Sequence, residues 1–222
     1  AENRVYGQIG ELKKLKRNNP NLIIAICGCM MQREEVLEII TTKFRHVDII
    51  FGTNNIHKLP QLLNNYEKCG KTVIDIVEEN REIDENIEAN RKHSFKSYVN
   101  IMYGCNNFCT YCIVPYTRGR ERSREPEKII NEIIKLAETG CKEVTLLGQN
   151  VNSYGKTLDI DYTFVDLVKE IDKIDGIERI RFMTSHPKDL TEDVIDVISN
   201  CDKICEHIHL PVQSGSTNIL KK

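Results

Sequence analysis

The sequence predicts an α/β protein in which two parallel-sheet units follow one another. Short apolar runs alternate with helical patterns along most of the chain, and one charged stretch poor in apolar residues separates two such series. Strands that alternate with helices predict parallel sheets, since parallel strands need a crossover connection. We expect a small α/β domain over 1–80, a linker over 81–93 and an incomplete (β/α) barrel over 94–222.

The first unit is predicted to begin with a helix. Apolar residues recur at helical spacing from Val5 to Leu15, and Asn18-Asn19-Pro20 supplies a stop. A short apolar run before Gly28 favours a buried strand, which places Cys29 just past its carboxyl end. The predicted elements after the first helix are a strand at 22–27, a helix at 32–44, a strand at 47–51, a helix at 56–66 interrupted by Pro60, and a strand at 72–77.

The second unit is predicted to repeat a strand followed by a helix. Chemistry collects at the carboxyl ends of barrel strands, so the polar segments that follow these strands are candidates for a functional site. One helix is flanked by Pro126 and Gly140, which suit a helix start and end. The predicted elements are strands at 97–102, 143–147, 177–182 and 205–210, and helices at 127–138, 164–171 and 190–199.

Three cysteines with CxxxCxxC spacing, Cys105, Cys109 and Cys112, suit one metal centre. Three thiolates leave one ligand position unmatched, and the next thirteen residues, 113–125, hold no Cys or His that would close a structural zinc site. An iron–sulfur cluster takes four thiolates, so this loop leaves one iron open for a ligand that is not protein. The alternative is a non-catalytic iron–sulfur or zinc module, against which the missing fourth ligand counts.

Composition excludes several classes of protein. A net charge of −2 argues against a strongly basic nucleic-acid wrapper, and no apolar run has the length needed to cross a bilayer. The nine cysteines lie in a Lys/Glu-rich chain without a leader, so reduced thiols and a cytoplasmic location are expected. The chain starts in helical sequence without Met and stops as another helix begins, which indicates a fragment.

The cysteine loop, with Tyr111 before its last cysteine, resembles the radical S-adenosylmethionine (SAM) enzymes. The segment Gly28-Cys29-Met30-Met31-Gln32 resembles the amino-terminal domain of their methylthiotransferase subgroup. The resemblance implies a partial radical SAM barrel whose three loop cysteines hold a 4Fe-4S cluster, with SAM chelated at the open iron and cleaved to a 5′-deoxyadenosyl radical. It also implies that Cys29 is one of three ligands of an auxiliary 4Fe-4S cluster whose other two cysteines lie upstream. The full-length protein is then expected to hold two clusters, and this fragment one.

The polar segments at the predicted strand ends contain further candidate site residues. GQNVN, TSHP and HIHLPVQSGS follow three strands in turn, and an arginine-rich run follows the cysteine loop. Guanidinium groups suit phosphate and carboxylate, so tRNA backbone or the SAM carboxylate are their expected targets. The expected cofactor-binding residues are Tyr111, Gln149, Asn150, Ser185, His209 and Gln213, and the expected substrate-binding residues are Arg118, Arg120 and Arg122.

These motifs together resemble the branch of the family that methylthiolates isopentenyladenosine next to the anticodon of tRNA. Sister enzymes act on threonylcarbamoyladenosine in tRNA or on a ribosomal protein aspartate, and these alternatives stay open. The strand-end segments hold no Lys or Arg apart from Lys188, which favours an apolar substrate group over a carboxylate. The resemblance implies tRNA and a reductant such as flavodoxin or ferredoxin as partners, and we expect a monomer without a membrane partner.

Overall fold

The computed structural model describes residues 2–76, 91 and 93–221, which fall into two compact units. The first unit is Ala1–Glu88 with Tyr116–Arg118, and the second is Ala89–Pro115 with Gly119–Lys222. Of the linker expected at 81–93, only Arg91 and His93 are among the described residues, so the linker and the domain bounds stay predictions. No helix among the described residues is long and apolar enough to span a bilayer.

The first unit is a parallel sheet covered by helices. Its strands lie in the order β1-β2-β3, with Ile26, Ile50 and Ile74 in register. A 3-10 helix at Cys29–Gln32 follows β1, and another at Thr53–Lys58 precedes α3. The described elements are α1 (Glu2–Asn18), β1 (Ala25–Cys27), α2 (Glu34–Lys43), β2 (Ile49–Phe51), α3 (Leu59–Cys69) and β3 (Val73–Asp75).

The central strand β2 separates two apolar cores. Ile50 packs with the buried faces of α1 and α2, whereas Ile49 and Phe51 pack with Leu62 of α3. Side chains alternate across a strand, so a strand buried on both faces carries apolar residues at every position. This explains why β2 reads as a continuous apolar run.

Several expected boundaries in the first unit need correction. The strand predicted at 22–27 is limited to Ala25–Cys27, and the one predicted at 72–77 is limited to Val73–Asp75, with residue 77 outside the described part. Pro60 does not interrupt a helix, because it lies in the first turn of α3. Proline is tolerated there, since an N–H in the first turn has no intrahelical acceptor.

From Arg91 to Lys221 the chain builds a second parallel sheet in the order β4-β7-β8, with Tyr98, Thr145 and Arg181 in register. A two-stranded antiparallel sheet, β5-β6, lies beside it. The described elements are β4 (Lys96–Asn100), β5 (Met102–Tyr103), α4 (Val114–Arg118), β6 (Arg122–Ser123), α5 (Pro126–Glu138), β7 (Glu143–Leu147), α6 (Phe164–Asp172), β8 (Arg179–Phe182), α7 (Glu192–Asn200) and α8 (Thr217–Leu220).

One contiguous core holds these elements together. Val144 and Leu146 of β7 are fully buried, and they belong to one cluster with Ile129 and Ile133 of α5 and Leu167 of α6. The apolar faces of α5 and α6 therefore share one core with the central strand, and Val151 of the segment after β7 belongs to the same cluster. The α/β class with parallel sheets is confirmed.

Two expectations for the second unit were wrong. The strand predicted at 97–102 is split, because the chain leaves the parallel sheet after Ile101 and continues as β5, which pairs with β6 at Arg122–Ser123. The fourth strand predicted at 205–210 does not form, and only Ile204 bridges to Ile180. The N–H of His207 bonds the carbonyl of Cys205 at 2.7 Å, a local turn that removes it from any ladder. His207 and His209 therefore do not share a strand face.

Candidate active site

The cysteine loop leaves β5 and returns through β6, and Gly104 lets its two arms meet. Gly104 has a φ of 71°, and a Cβ there would lie 2.1 Å from the carbonyl oxygen of Arg120. The N–H of Cys105 bonds the carbonyl of Gly119 at 3.2 Å, and the N–H of Glu121 bonds Oδ1 of Asn106 at 3.1 Å. Glycine tolerates both the positive φ and the close approach. The base of the loop is thus closed by backbone contacts.

All three loop cysteines are free thiols. Cys105 is buried, while Cys109 and Cys112 are half-buried and joined by a 2.8 Å bond from the N–H of Cys112 to the carbonyl of Cys109. Burial raises the pKa of Cys105, and the nearby charges of Glu121, Cys109 and Cys112 add to the rise. A charge on either of the other two loop thiols therefore makes Cys105 harder to ionise.

Three free thiols in one loop are a donor set that suits an iron–sulfur cluster, whose usual ligands are Cys thiolates. Within the described residues, no group of three or more His, Cys, Asp or Glu side chains that could hold a single metal ion was found. A cubane places each thiolate on a different iron, so its ligands need not converge on one point. Three free thiols in one closed loop satisfy that requirement.

Buried polar atoms without partners collect at the carboxyl ends of β7 and β8. They are Oε1 of Gln149, Oδ1 of Asn150, both amide atoms of Asn152 and Oγ of Ser185. Asn150 is 1% exposed and Ser185 is 4% exposed, so bulk water does not supply the missing hydrogen bonds of these side chains. A buried polar group without a partner costs about 1–3 kcal/mol, and such atoms in one region mark the place of a ligand.

Asp189 organises this region from a 3-10 turn at Pro187–Asp189. Its two oxygens accept hydrogen bonds from Nδ2 of Asn150 at 2.6 Å and from Nζ of Lys156 at 2.5 Å. Burial alone would raise the pKa of Asp189, but the bonds from Lys156 and Asn150 outweigh burial and hold it below its usual value. Asp189 therefore fixes Asn150 while Oδ1 of that amide stays unpaired.

Backbone strain falls in the same segments. Among the described non-glycine residues, positive φ occurs at Phe108 (47°), Thr184 (67°) and Gln213 (61°). All three lie in the cysteine loop or in the polar segments after β8. Left-handed backbone at a β-branched residue such as Thr184 is a genuine outlier, and strain of this kind clusters at functional sites.

The predicted cofactor residues are partly brought together. The carbonyl of Thr184 accepts from the N–H of Val151 at 3.1 Å, which ties the turn after β7 to the segment after β8. The N–H of Thr184 bonds Nδ1 of His209 at 3.3 Å, and the N–H of Ser185 bonds the carbonyl of His209 at 3.1 Å. Asn150, Ser185 and His209 thus belong to one hydrogen-bonded region, although His209 is exposed.

The other predicted residues differ in exposure. Tyr111 is 68% exposed, and Gln213 and Arg120 are also exposed, whereas Arg118 and Arg122 are half-buried. Arg120 lies 4.6 Å over the ring of Phe108, Arg122 lies 5.6 Å over the ring of Tyr103, and Arg118 ends α4. Two arginine–aromatic pairs, Arg120 with Phe108 and Arg122 with Tyr103, therefore lie in or beside the cysteine loop.

Local sequence patterns did not single out Asn152, Asp189 or Glu121 as site residues. Burial raises the pKa of Glu121, while a hydrogen bond with Ser153 and the charge of Lys156 act in the opposite direction. The strand that follows the cysteine loop is joined to the segment after β7 by a 2.9 Å bond from the N–H of Gly155 to Oγ of Ser123. The signal available in the sequence was the density of Asn after β7, at a strand end where ligands tend to bind.

In the first unit, Cys29 lies just past the carboxyl end of β1, where it begins the 3-10 helix and is half-buried. Cys27 is its near neighbour, and Sγ of Cys27 lies 3.6 Å from the carbonyl of Gly52. Burial raises the pKa of Cys27, and the charge of Cys29 adds to the rise. This unit therefore presents Cys29 at a strand end, as the sequence predicted.

Comparison with known sequences defines the class of protein. Residues 99–222 match the Radical SAM superfamily, and residues 1–52 match a group described as Uncharacterized protein family UPF0004. The first match covers more than half of the chain, so the chain belongs to the radical SAM superfamily.

Curated proteins with similar sequences come from one group of tRNA-modifying synthases. The chain is 61% identical over 222 residues to the tRNA-2-methylthio-N(6)-dimethylallyladenosine synthase of Clostridium tetani, covering 100% of this chain and 49% of the relative. It is 61% identical to the synthase of the same name from Alkaliphilus oremlandii, with 100% and 47% covered, and 57% identical to that from Clostridioides difficile, with 100% and 46% covered. The chain spans about half the length of the curated relatives it matches.

A search of solved structures found the radical S-adenosylmethionine methyltransferase TsrM from Kitasatospora setae. That chain, in a complex with tryptophan and a SAM analogue, is 18% identical to this one at a TM-score of 0.46, covering 57% of this chain and 24% of TsrM. Its cobalamin-bound form with a [4Fe-4S] cluster is 20% identical at a TM-score of 0.41, covering 52% and 22%.

Proposed function

We propose that this chain is part of a radical SAM methylthiotransferase that converts isopentenyladenosine next to the anticodon of tRNA into its 2-methylthio derivative. The observation that carries the proposal is that three free thiols in one loop lie in the same unit as a region of buried polar atoms that lack partners, and that the N–H of Gly155, after β7, bonds Oγ of Ser123 in β6 at 2.9 Å. The relatives at 57–61% identity, named for this reaction, support the choice of substrate.

Cys105, Cys109 and Cys112 would hold the 4Fe-4S cluster. When bound, the cluster supplies the electron that cleaves SAM and begins the radical reaction. The loop holds its thiols in place through backbone bonds at Gly104 and Gly119, and the burial of Cys105 keeps water from that side of the loop.

Gln149, Asn150 and Ser185 would bind SAM. Two amides and a hydroxyl with unpaired atoms suit the amino, carboxylate and ribose hydroxyl groups of that molecule. Because Asp189 already holds Asn150 in place, the amide loses little side-chain freedom when it binds a ligand. We assign Tyr111, His209 and Gln213 to the exposed rim of the same site.

Arg118, Arg120 and Arg122 would contact the RNA. Arginine suits phosphate geometry, and surfaces that combine arginine with aromatic rings bind unpaired nucleotides by stacking. The contacts of Arg120 with Phe108 and of Arg122 with Tyr103 provide such a surface beside the loop.

The substrate choice also rests on charge. A threonylcarbamoyl carboxylate would call for an unneutralised cation in the site, whereas an isopentenyl group needs an apolar wall. Lys156 lies near the strand ends, but its ammonium is paired with Asp189. This pairing favours the isopentenyl substrate over the carboxylate-bearing one.

The remaining assignments concern the full-length enzyme. Cys29 would be one ligand of a second, auxiliary cluster, completed by two cysteines outside this chain. We also propose a reductant such as flavodoxin or ferredoxin, a monomer, a cytoplasmic location, and domains at 1–80 and 94–222 joined by a linker at 81–93.

Two experiments test the proposal. Anaerobic reconstitution of this chain, followed by Mössbauer spectroscopy and iron analysis, should give one 4Fe-4S cluster, and stoichiometric zinc without iron would overturn the enzyme assignment. Mass spectrometry of tRNA nucleosides from cells lacking the gene should show loss of the 2-methylthio mark on isopentenyladenosine. Loss on threonylcarbamoyladenosine, with the isopentenyl mark intact, would overturn the substrate assignment.

A further inference from the structure

The first unit holds a contact between an arginine and a thiol. Nε of Arg118 donates a hydrogen bond to Sγ of Cys29 at 3.0 Å, and both residues belong to this unit. Both are half-buried, so water and salt screen the contact less than they screen an exposed pair. A neutral thiol is a weak acceptor, whereas a bond from a guanidinium to a negatively charged acceptor is short and strong. The contact therefore suits Cys29 as a thiolate, the form that binds metal.

The backbone on both sides of Cys29 is held in place. Strand β1 ends two residues before it, and the 3-10 helix Cys29–Gln32 begins with it. The N–H of Met31 bonds the carbonyl of Gly28 at 3.0 Å and so closes the first turn around Cys29. The freedom left to this residue is the rotation of its side chain among staggered positions. The bond from Arg118 selects one of these positions, so Arg118 fixes the direction of the sulfur.

The contact is not part of the apolar packing of the unit. In the part of the unit that the structure describes, two apolar cores join the helices to the sheet, and neither contains Cys29 or Arg118. The buried ion pair of Lys16 with Asp48 lies at the opposite end of the sheet, before β2. Cys29 stands at the carboxyl end of β1, where the ligands of parallel sheets bind. A cation held against a thiol at that end acts on what the thiol binds.

Cys29 fits one ligand position of an iron–sulfur cluster. It is a free thiol, and because it is half-buried, one side of it is open to a ligand. Cys thiolates are the usual ligands of such clusters, and hydrogen bonds to their sulfurs help to set the reduction potential. Reduction adds one negative charge to a cluster. Arginine keeps its positive charge at every working pH, so it stabilises the reduced form.

We propose that Arg118 is a positioning residue of the auxiliary cluster, which holds the Cys29 sulfur in place and makes that cluster easier to reduce. Cys29 is a ligand of this cluster in the proposed function, on which this role of Arg118 rests. The role is distinct from the RNA contact proposed for the same residue, because it is exerted through Nε and requires no RNA. An arginine that served only the fold would leave the reduction potential unchanged.

Redox titration of the full-length protein tests this role. Changing Cys105, Cys109 and Cys112 to Ala removes the ligands of the other cluster, so the electron paramagnetic resonance signal of the reduced auxiliary cluster is observed alone. In that background and without RNA, Arg118→Ala should weaken reduction about tenfold, the effect of losing one hydrogen bond to a charged group. For one electron, this is a shift of about 59 mV to a more negative potential. Arg118→Lys, which keeps the charge and a donor, should reverse most of the shift.

Arg45→Ala is the matched control, because Arg45 is an exposed arginine of the same unit and its loss changes the net charge equally. It should leave the potential unchanged. The proposal is overturned if Arg118→Ala keeps the wild-type potential, or if Arg45→Ala shifts it by the same amount. Loss of iron from both Arg118→Ala and Arg118→Lys would also overturn it, since Arg118 would then serve the fold. Absence of iron from the triple-alanine protein with Arg118 intact would refute the auxiliary cluster of the proposed function, and this role with it.

Discussion

Each of the two units contains a buried aspartate. The two aspartates have the same exposure and the same kind of ion pair but differ in their other hydrogen-bond partners. Asp48 and Asp189 are each 6% exposed, and each pairs with a lysine, Lys16 and Lys156 respectively. Asp48 also accepts from the N–H of Ile24 at 2.7 Å and from the hydroxyl of Tyr66 at 2.6 Å. These partners tie together the elements of the first unit.

Asp189 differs because its partner Asn150 retains an unpaired oxygen, with further unpaired atoms beside it. Asp48 precedes β2, at the amino end of a parallel strand, whereas Asp189 lies beyond the carboxyl end of β8. Ligands bind at the carboxyl ends of parallel strands. The comparison shows that burial of a charge does not mark a site, while an incomplete hydrogen-bond network at that end of the sheet does.

The largest expected effect is on the cysteine loop of the second unit. Changing Cys105, Cys109 or Cys112 to Ala should remove about four irons per reconstituted chain, because a cubane cannot be held by two thiolates of the loop. Iron analysis and the charge-transfer absorbance measure the loss.

The first unit supplies the control for that experiment. Cys29→Ala should leave the iron content of this chain nearly unchanged, since Cys29 is one of three ligands expected for the auxiliary cluster. Cys69→Ala, at an exposed thiol, should also have no effect. A drop of about four irons in the Cys29 variant would contradict the expectation and would mean that other cysteines have substituted for the missing ligands.

Asp48→Asn should lower the free energy of unfolding by about 3 kcal/mol, because it leaves Lys16 without its buried partner. Burial raises the pKa of Asp48, but its bonds from Ile24, Lys16 and Tyr66 outweigh burial and hold it below the ordinary 3.8. The Asp48 network therefore stabilises the protein fully above pH 3.8 and is lost as pH falls through the lower folded-state pKa. Denaturant unfolding between pH 2 and 7 should show that the free energy of unfolding falls less steeply toward acid pH in the variant than in wild type.

SAM binding should stay at the wild-type level in Asp48→Asn under conditions where that variant is folded. Asp202→Asn, at an exposed aspartate, is the control for stability and should have little effect. An equal loss of stability in both variants would contradict the claim that the Asp48 network stabilises the protein.

Alanine variants of Gln149, Ser185, His209 and Gln213 should each weaken SAM binding roughly tenfold, the effect of losing one hydrogen bond of about 1.4 kcal/mol. Calorimetric titration of the reconstituted chain measures it. Gln61→Ala, at an exposed glutamine of α3, is the matched control. Wild-type affinity in all four variants would place the SAM pocket elsewhere.

Asp189→Asn should lower the free energy of unfolding by only about 1 kcal/mol, because the side chain of its partner Lys156 is 58% exposed and its ammonium regains water. SAM affinity should nonetheless fall, since Asn150 loses its fixed position. Parallel denaturant and SAM titrations of Asp189→Asn and Asp48→Asn compare the two aspartates directly. Unchanged SAM affinity in Asp189→Asn would mean that its network serves the fold alone, as that of Asp48 does.

The sequence determined the elements whose pattern is local. The spacing of apolar residues and the flanking Pro126 and Gly140 predicted α5, and the apolar run at 143–147 predicted β7 with its observed bounds. The CxxxCxxC spacing likewise predicted a single loop of free thiols. Periodicity and spacing are readable from neighbouring residues alone, because the geometry of one element produces them.

Only the tertiary structure decided which polar residues are buried together. The split of one strand into β4 and β5 depends on β6, about twenty residues further along the chain. The strand predicted at 205–210 does not form, because the N–H of His207 turns back to the carbonyl of Cys205 between the bond of Cys205 to Ile180 and that of His209 to Ser185. Asn152 and Asp189 meet at the edge of one cavity although no local pattern relates them. Pairing and burial are set by partners distant in sequence, which a local pattern cannot specify.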